Sequence, residues 1–573
     1  MQSTPEDTRP PLTRSRGLSA VLDFAAASHG RAVALLIVFS LVVLLPGFFR
    51  MPPVDRDEPR FAQSTKQMIE TGQYVDIRFR NEPRYKKPIG IYWLQAAAVQ
   101  AGRAAGVSHA LTRIWLYRLP SLIGAIGAVL LTYWAALAFV SRRAALLAVL
   151  MMASSVLLGI EARLAKTDAM LLFTCVAAMG ALARIYLGER RAPQTEIGWG
   201  LPAILWTAMA AGILIKGPLI VMFVALCALA VSILDRSARW LWSLRPVAGL
   251  IWLALLVLPW FVAIVLKSGN AFFVHAVRGD MLSKIANGQA HGAPPGYYFL
   301  LFWVTFWPGA GIAGLAAPAL WRRRREPGVQ FLLAWVIPSW LVFEAAIFKL
   351  AHYVLPLYPA IAILIAIVID QGGLANKRWM VRGTVWMFLF PALIAVLVPV
   401  LFHLIGHRPG FIAWPTAGAA AIFGFIAWWR YQVDGAERSL LYGMIASACI
   451  AITVYGVSLP ALPALFPSAR VAKMMRASRC HQPRLAVTNA YGEPSLVFLL
   501  GARTRFTDEA GAAKFLEQGA CRYALIDSRN AQGFAHRVEA AGLRPEVTRQ
   551  IDGINIGDGK KVRLTLFRSP ASP

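Results

Sequence analysis

The chain has 573 residues, 57% of them hydrophobic and only 15% charged, with a formal net charge of +29. Soluble domains carry about 25% charged residues, and here the apolar residues form long runs instead of periodic stripes, so a string of soluble cores is excluded and lipid is the natural solvent. The basic residues sit in short connectors between those runs, a distribution that argues against nucleic acid as a partner and fits topology signals and contact with anionic membrane lipid.

Residues 1–31 read as a polar cytoplasmic tail bearing Arg9, Arg14, Arg16 and Arg31. The first apolar run, 32–49, is followed by no small-residue cleavage site and reads as a retained helix. Further spans are predicted at 115–139, 144–160, 168–187, 199–214, 217–234, 247–267, 298–320, 328–347, 352–369, 379–402, 411–429 and 439–461, about thirteen in all for a hydrocarbon core of roughly 30 Å. Alternate connectors are basic: Arg142–Arg143, then Arg184, Arg190 and Arg191, then Arg236, Arg239 and Arg245, then Arg322 to Arg325, then Lys377, Arg378 and Arg382, then Arg430 and Arg438. The positive-inside rule makes these cytoplasmic and places loop 50–114, the other alternate loops and residues 462–573 outside. The expected organisation is therefore an all-α polytopic domain over 32–461 and a small exported α/β domain over 462–573. In the latter, segments 484–489, 494–500, 510–518, 523–527, 534–541 and 562–567 alternate strand and helix patterns. An exported domain permits a disulfide between Cys480 and Cys521, whereas Cys175, Cys227 and Cys449 lie in apolar spans as packing residues.

Loop 50–114 is the richest segment. In Asp55-Arg56-Asp57-Glu58-Pro59-Arg60-Phe61, Asp57 has the look of an N-cap, Pro59 of a first-turn residue and Gly72 of the stop. Phe61, Thr65, Met68 and Ile69 share one face of this helix, which predicts that it lies along the membrane surface. Glu82-Pro-Arg84-Tyr85-Lys86-Lys87-Pro88 leads into an aromatic interfacial stretch with Tyr92 and Trp93. A second charged cluster, Glu161-Ala-Arg163-Leu-Ala-Lys166-Thr167-Asp168, closes the third span, and charge at a span end faces a cavity or a partner. Lys216-Gly217-Pro218 interrupts two short spans and reads as a broken helix lining a cavity. Loop 268–297 carries His275, His291 and Tyr297, with Tyr298 opening the next span, and Lys349-Leu-Ala-His352-Tyr353 adds a cation, an imidazole and a phenol at a helix mouth. Lys87, Arg60, Lys216, Arg163 and Lys349 are candidate phosphate ligands, Arg as a bidentate fork and Lys as a point charge. The histidines lack H-x-x-H spacing, so a metal site is only weakly signalled and the sequence calls for no particular cofactor; Glu82, His275 and His291 are the weak candidates for a divalent metal.

Asp57-Glu58-Pro-Arg60-Phe61-Ala62 resembles the hallmark of polyprenol-phosphate-dependent glycosyltransferases with the multi-spanning C-type fold. With Lys87-Pro88, Tyr92-Trp93, Ala162-Arg163-Leu164-Ala165, Asp168, Lys216-Gly217, His291-x-x-Pro294-x-x-Tyr297-Tyr298 and Tyr353-x-x-Pro356 in order along the chain, it is more closely similar to the lipid A aminoarabinose transferases and the related bacterial protein-mannosyltransferase-like enzymes. The resemblance implies an inner-membrane enzyme that transfers 4-amino-4-deoxy-L-arabinose or a related sugar from undecaprenyl phosphate to a lipid A phosphate in the periplasm. It implies Asp57, Asp168 and Glu58 as catalytic carboxylates, Lys87 and Arg60 on the carrier phosphate, and Tyr85, Tyr92, His291, Tyr297, Tyr298 and Tyr353 around the substrate cavity. Transfer to a protein hydroxyl is the alternative within the class. A secondary transporter is the alternative outside it, disfavoured because the charges lie at one face and no hydropathy repeat is visible.

Overall fold

The computed structural model describes residues 17–54, 56–191, 198–275, 292–405, 408–478, 480, 482–557 and 559–570. Each predicted span has a helical counterpart among them. Seven helical stretches are long and apolar enough to cross a membrane: Ile114–Ala136, Asp168–Arg191, Pro246–Ser268, Pro327–Ala345, Ala351–Asp370, Arg378–Leu404 and Ala436–Ala461. His29–Leu44, Gly200–Lys216 and Leu219–Leu234 are shorter apolar helices. Two predicted spans are broken: Arg142–Ser154 gives way to Val156–Glu161 at Ser155, and Tyr297–Thr305 to Ala310–Arg322 around Pro308.

Burial sorts the helices. Asp168–Arg191 and Ala351–Asp370 are about four-fifths buried, whereas Pro246–Ser268 and Arg378–Leu404 are only 22% buried and turn their apolar side chains outward. In lipid no hydrophobic force drives helix against helix, so close approach depends on small residues. A Cβ on Gly124 of helix Ile114–Ala136 would lie 3.0 Å from the Ala169 carbonyl carbon, so glycine there lets this helix press on Asp168–Arg191. Gly90 does the same for helix Gly90–Ala104: a Cβ would meet the Leu214 carbonyl oxygen at 2.8 Å. That contact brings the segment carrying Lys87 beside the end of Gly200–Lys216.

The helix predicted to lie on the membrane surface runs Asp57–Thr71 and stops at Gly72 in the left-handed conformation (φ 69°). It is buried on more than the predicted face. Phe61, Thr65 and Met68 are buried, and so are Gln63, Ser64 and Lys66. The second face is covered by the C-terminal domain. Phe498 of helix Pro494–Leu500 packs edge-on against Tyr117, and the Lys66 ammonium donates to the Phe498 carbonyl at 3.1 Å. The helix is thus an interlayer between the bundle and the C-terminal domain.

That domain is a five-stranded sheet in the order Arg505–Thr507, Arg484–Thr488, Arg522–Asp527, Lys561–Arg568, Glu546–Ile554. The first three strands are parallel and the last two antiparallel. Helices Glu509–Glu517 and Ala531–Ala540 connect them, and a Cys480–Cys521 disulfide ties its entry to the sheet. The α/β expectation holds, but two strands escaped the sequence reading: the three-residue Arg505–Thr507, and the edge strand Glu546–Ile554, whose first five residues are exposed.

Candidate active site

The loop 162–167 is fixed first, because the site is built on it. Glu58 is 1% exposed, and its carboxylate accepts four hydrogen bonds: from Arg118 Nε and Nη2 at 2.7 and 2.8 Å, from Val54 N at 2.8 Å and from Ala165 N at 2.9 Å. Gln95 donates to the Ala165 carbonyl at 3.3 Å and accepts from Thr65 Oγ1 at 2.7 Å, and Ser121 Oγ donates to the Lys166 carbonyl at 3.2 Å. Three elements therefore hold one short loop. A carboxylate saturated by four donors has no lone pair directed at a substrate, which argues for a positioning role in place of the catalytic one expected.

The side chains of that loop and its flanks form the cluster. Asp168 Oδ1 is bonded to the Lys216 ammonium, and Asp168 Oδ2 lies 3.8 Å from Lys166 Nζ. Lys166 also reaches Glu161 at 3.1 Å. His352 Nε2 is 3.5 Å from Asp168 Oδ1, and its Nδ1 is 3.7 Å from Glu161 Oε1. Lys216 sits over the Tyr353 ring, 5.5 Å from its centroid. Helix Gly200–Lys216 delivers this lysine because it ends there, with Gly217 at φ 78° turning the chain. Burial alone would depress the Lys166 ammonium, but the carboxylates of Glu161 and Asp168 outweigh it and hold the pKa above the ordinary lysine value. Asp57 adds to the same effect, which puts it within electrostatic range of the cluster.

Asp57 differs from its neighbour. Its side chain is 59% exposed, with Arg60 Nη1 at 4.0 Å. It is not the cap: the N-cap position belongs to Arg56, held at φ 79°, and no side chain caps the helix. Arg60 is half-buried, and burial together with Arg84 lowers its pKa, against the pull of Asp57 and of Glu493 from the C-terminal domain. Lys87 is partly buried and lies close enough for His352 to feel its charge. Asp57, Arg60, Lys87, Asp168, Lys216 and Tyr353 are thus brought to one end of the bundle.

Other expected site residues have different duties. Arg163 is 1% exposed and donates from each of its three nitrogens to a carbonyl, of Pro46 (2.8 Å), Gly159 and Val43, while stacking over Tyr455, so its fork is turned to the backbone of the bundle. Lys349 donates to the Ala293 and Ala346 carbonyls at 3.0 and 2.6 Å and ties a loop end to a helix end. Tyr298 is buried and accepts from Leu350 N at 3.2 Å; Tyr297 packs edge-on against it. Tyr85 donates to Asp76 Oδ1 at 2.7 Å, and Tyr92 is buried against Phe61. Glu82 lies exposed in a two-residue strand paired with Arg78–Phe79, and His275 is exposed 6.2 Å from the Tyr85 ring. His291 lies outside the described residues.

The metal candidates Glu82 and His275 do not converge on this cluster. Glu161, Asp168 and His352 instead bring one ligand atom each within 4.8 Å of one another. An O, O, N donor set suits a divalent cation, although the Lys166 and Lys216 ammoniums already neutralise both carboxylates. Glu161, Lys166 and His352 were legible only as charge near span ends. Their clustering depends on the fold.

The profile of the dolichyl-phosphate-mannose-protein mannosyltransferases matches residues 89–277, which include Glu161, Asp168 and Lys216. The undecaprenyl phosphate-alpha-4-amino-4-deoxy-L-arabinose arabinosyl transferase of Pseudomonas paraeruginosa is 27% identical over 501 residues, covering 83% of this chain and 82% of that one. Its counterpart in Pectobacterium carotovorum is 25% identical over 446 residues, covering 75% and 76%. The crystal structure of ArnT from Cupriavidus metallidurans in the apo state superposes with a TM-score of 0.73 at 18% identity, over 96% of this chain and 99% of that one. The same protein bound to undecaprenyl phosphate gives 0.70. The resemblance carried by the motifs is therefore real: this chain has the ArnT fold, and over three-quarters or more of its length it is similar to the undecaprenyl phosphate-aminoarabinose arabinosyl transferases.

Proposed function

We propose that this protein is a lipid-linked-sugar-dependent glycosyltransferase of the bacterial inner membrane that moves 4-amino-4-deoxy-L-arabinose from undecaprenyl phosphate to a lipid A phosphate. The observation that carries the reading is one exposed carboxylate, Asp57, beside cations held at fixed positions at one end of an ArnT-like bundle. The basic connectors cluster at the opposite end, which supports a periplasmic site and a periplasmic C-terminal domain.

In the proposed reaction an oxygen of the acceptor phosphate attacks the anomeric carbon, the bond from that carbon to the carrier phosphate oxygen breaks, and undecaprenyl phosphate leaves with both electrons of that bond. Arg60 and Lys87 hold the departing phosphate, whose negative charge grows as the bond breaks; a fixed donor aimed at such charge is worth roughly 3–4 kcal/mol. The acceptor phosphate is already anionic and needs no strong base. Asp57 then orients the acceptor sugar or stabilises positive charge on the transferred sugar, and the Asp168–Lys216–Lys166 network keeps the cavity wall rigid.

The test is transfer by the purified protein with defined undecaprenyl-phosphate-linked aminoarabinose and lipid A, read by mass spectrometry. Addition of the sugar mass to lipid A is expected. Transfer only to a protein, the acceptor named by the mannosyltransferase profile, would move the protein to that class; transport without transfer would remove it from both.

A further inference from the structure

At the end of the bundle away from the candidate site, a cavity of about 480 Å³ is lined by Asn376, Arg378, Val381, Arg382, Val385, Trp428 and Gln432. It lies at that end because helix Tyr358–Asp370 leads away from His352, and Asp370 accepts from Ser141 just before Arg142 and Arg143. We propose that this cavity binds the phosphate headgroup of an anionic phospholipid from the leaflet opposite the active site.

Three observations carry the proposal. The lining supplies two guanidiniums one helical turn apart on Arg378–Arg382, two side-chain amides and no carboxylate. Among the described residues neither Arg378 nor Arg382 has an ion-pair or side-chain hydrogen-bond partner. The nearest carboxylate on the facing helix, Asp434, is already held by Arg430 at 2.7 Å and Arg438 at 2.8 Å. Two unneutralised forks at one mouth donate to the non-bridging oxygens of a phosphate.

The third observation selects a lipid over a free phosphate. From the cavity wall at Val385 the helical stripe continues through Leu389, Leu393, Val396, Leu397, Val400 and Leu404, all exposed from Leu389 onward and turned away from the bundle. On the facing helix, Trp428 stacks on Phe388, and Phe388 packs edge-on against Phe425. A charged mouth joined to an apolar track along a membrane-spanning helix matches a phosphate ester with acyl chains, and a soluble anion would have no use for the track.

The test uses the full-length, delipidated protein in a neutral detergent, titrated with dioleoylphosphatidylglycerol, with dioleoylphosphatidylcholine or with inorganic phosphate, and bound lipid is counted by native mass spectrometry. Phosphatidylglycerol should be retained over phosphatidylcholine, and Arg378→Gln with Arg382→Gln should weaken that retention on the order of tenfold or more. Val385→Trp keeps both arginines while filling the cavity, and it should lose the lipid as well. Sugar transfer to lipid A should be unchanged in every variant, which also reports that each is folded. Equal retention by the double variant and the parent would overturn the site, and competition by millimolar inorganic phosphate as effective as by the lipid would overturn the lipid assignment.

Discussion

The base of the first large loop and the cluster beside it both gather charge at a membrane surface, and they settle it in opposite ways. At the base, Arg118 and Arg163 are fully buried. Their donors go to the Glu58 carboxylate and to backbone carbonyls of residues 43–52 and 159. All five donors of Arg118 and each nitrogen of Arg163 have an acceptor close by, and the result is a joint between the loop and the bundle. In the cluster, two lysines and a histidine share two carboxylates, while Asp57 stands at the edge with most of its side chain exposed. Saturation marks the joint. An accessible carboxylate among fixed cations marks the place where a charged substrate can enter.

The comparison breaks most visibly at Glu58. Removing one partner of a buried ion pair costs about 3–5 kcal/mol because the other charge is left uncompensated. Glu58→Ala should therefore lower the thermal midpoint sharply and reduce folded yield, as monitored by size-exclusion chromatography and thermal unfolding; a fully stable Glu58→Ala protein without transfer activity would return Glu58 to the catalytic group. Lys87→Ala should act on the other side of the comparison. It should weaken carrier binding by roughly ten- to hundredfold, in line with about 1.5–3 kcal/mol for a bond to a charged group, and leave the midpoint nearly unchanged. Binding of undecaprenyl phosphate by calorimetry separates the two effects, and unaltered affinity would remove Lys87 from the phosphate site. Arg163→Lys should resemble Glu58→Ala in kind and be smaller: charge is kept while the fork that reaches three carbonyls is lost. An effect on carrier affinity with no loss of stability would contradict its placement in the joint.

The smallest expected effect lies in the C-terminal domain. Burial alone would raise the Asp527 carboxyl, but hydrogen bonds from Arg529 bring it below the ordinary aspartate value. A depressed carboxylate stabilises the folded state above its unfolded pKa, and that contribution is lost as pH falls through the folded value. The thermal midpoint should thus fall more steeply below about pH 4, the unfolded aspartate range, than in Asp527→Asn, whose midpoint is lower at neutral pH and flatter with acid, so that the two converge at low pH. Parallel acid profiles would remove Asp527 from the account.

Much of the bundle was legible because runs of apolar residues leave a membrane chain few alternatives to helices. The positions of Asp168 and Lys216 at span ends, and of Asp57 and Lys87 in the first outer loop, were legible for the same reason. Function within the charged group was not. Glu58 and Arg118 are sixty residues apart in sequence, and nothing local distinguishes a saturated carboxylate from an open one. Arg163 and Lys349 read as phosphate ligands because a cation at a span end has two ways to be satisfied, by an anion or by the free carbonyls of helix ends, and only the fold reveals which. The capping preference led to Asp57 as an N-cap, yet Arg56 occupies that position with a left-handed backbone. Only one covered face of helix Asp57–Thr71 could be read, because the residues that cover its second face, Phe498 foremost, lie more than four hundred positions away.

The central claim is that Asp57 acts on the substrates while Glu58 supports, and Asp57→Asn tests it most directly. The amide is nearly isosteric, and Asp57 is exposed and outside the saturated joint. Measured side by side in the purified protein, sugar transfer to lipid A should fall by at least roughly hundredfold, while the thermal midpoint and undecaprenyl phosphate affinity stay close to those of the parent. Transfer near the parental rate would contradict the account, and so would a loss of transfer matched by an equal loss of stability.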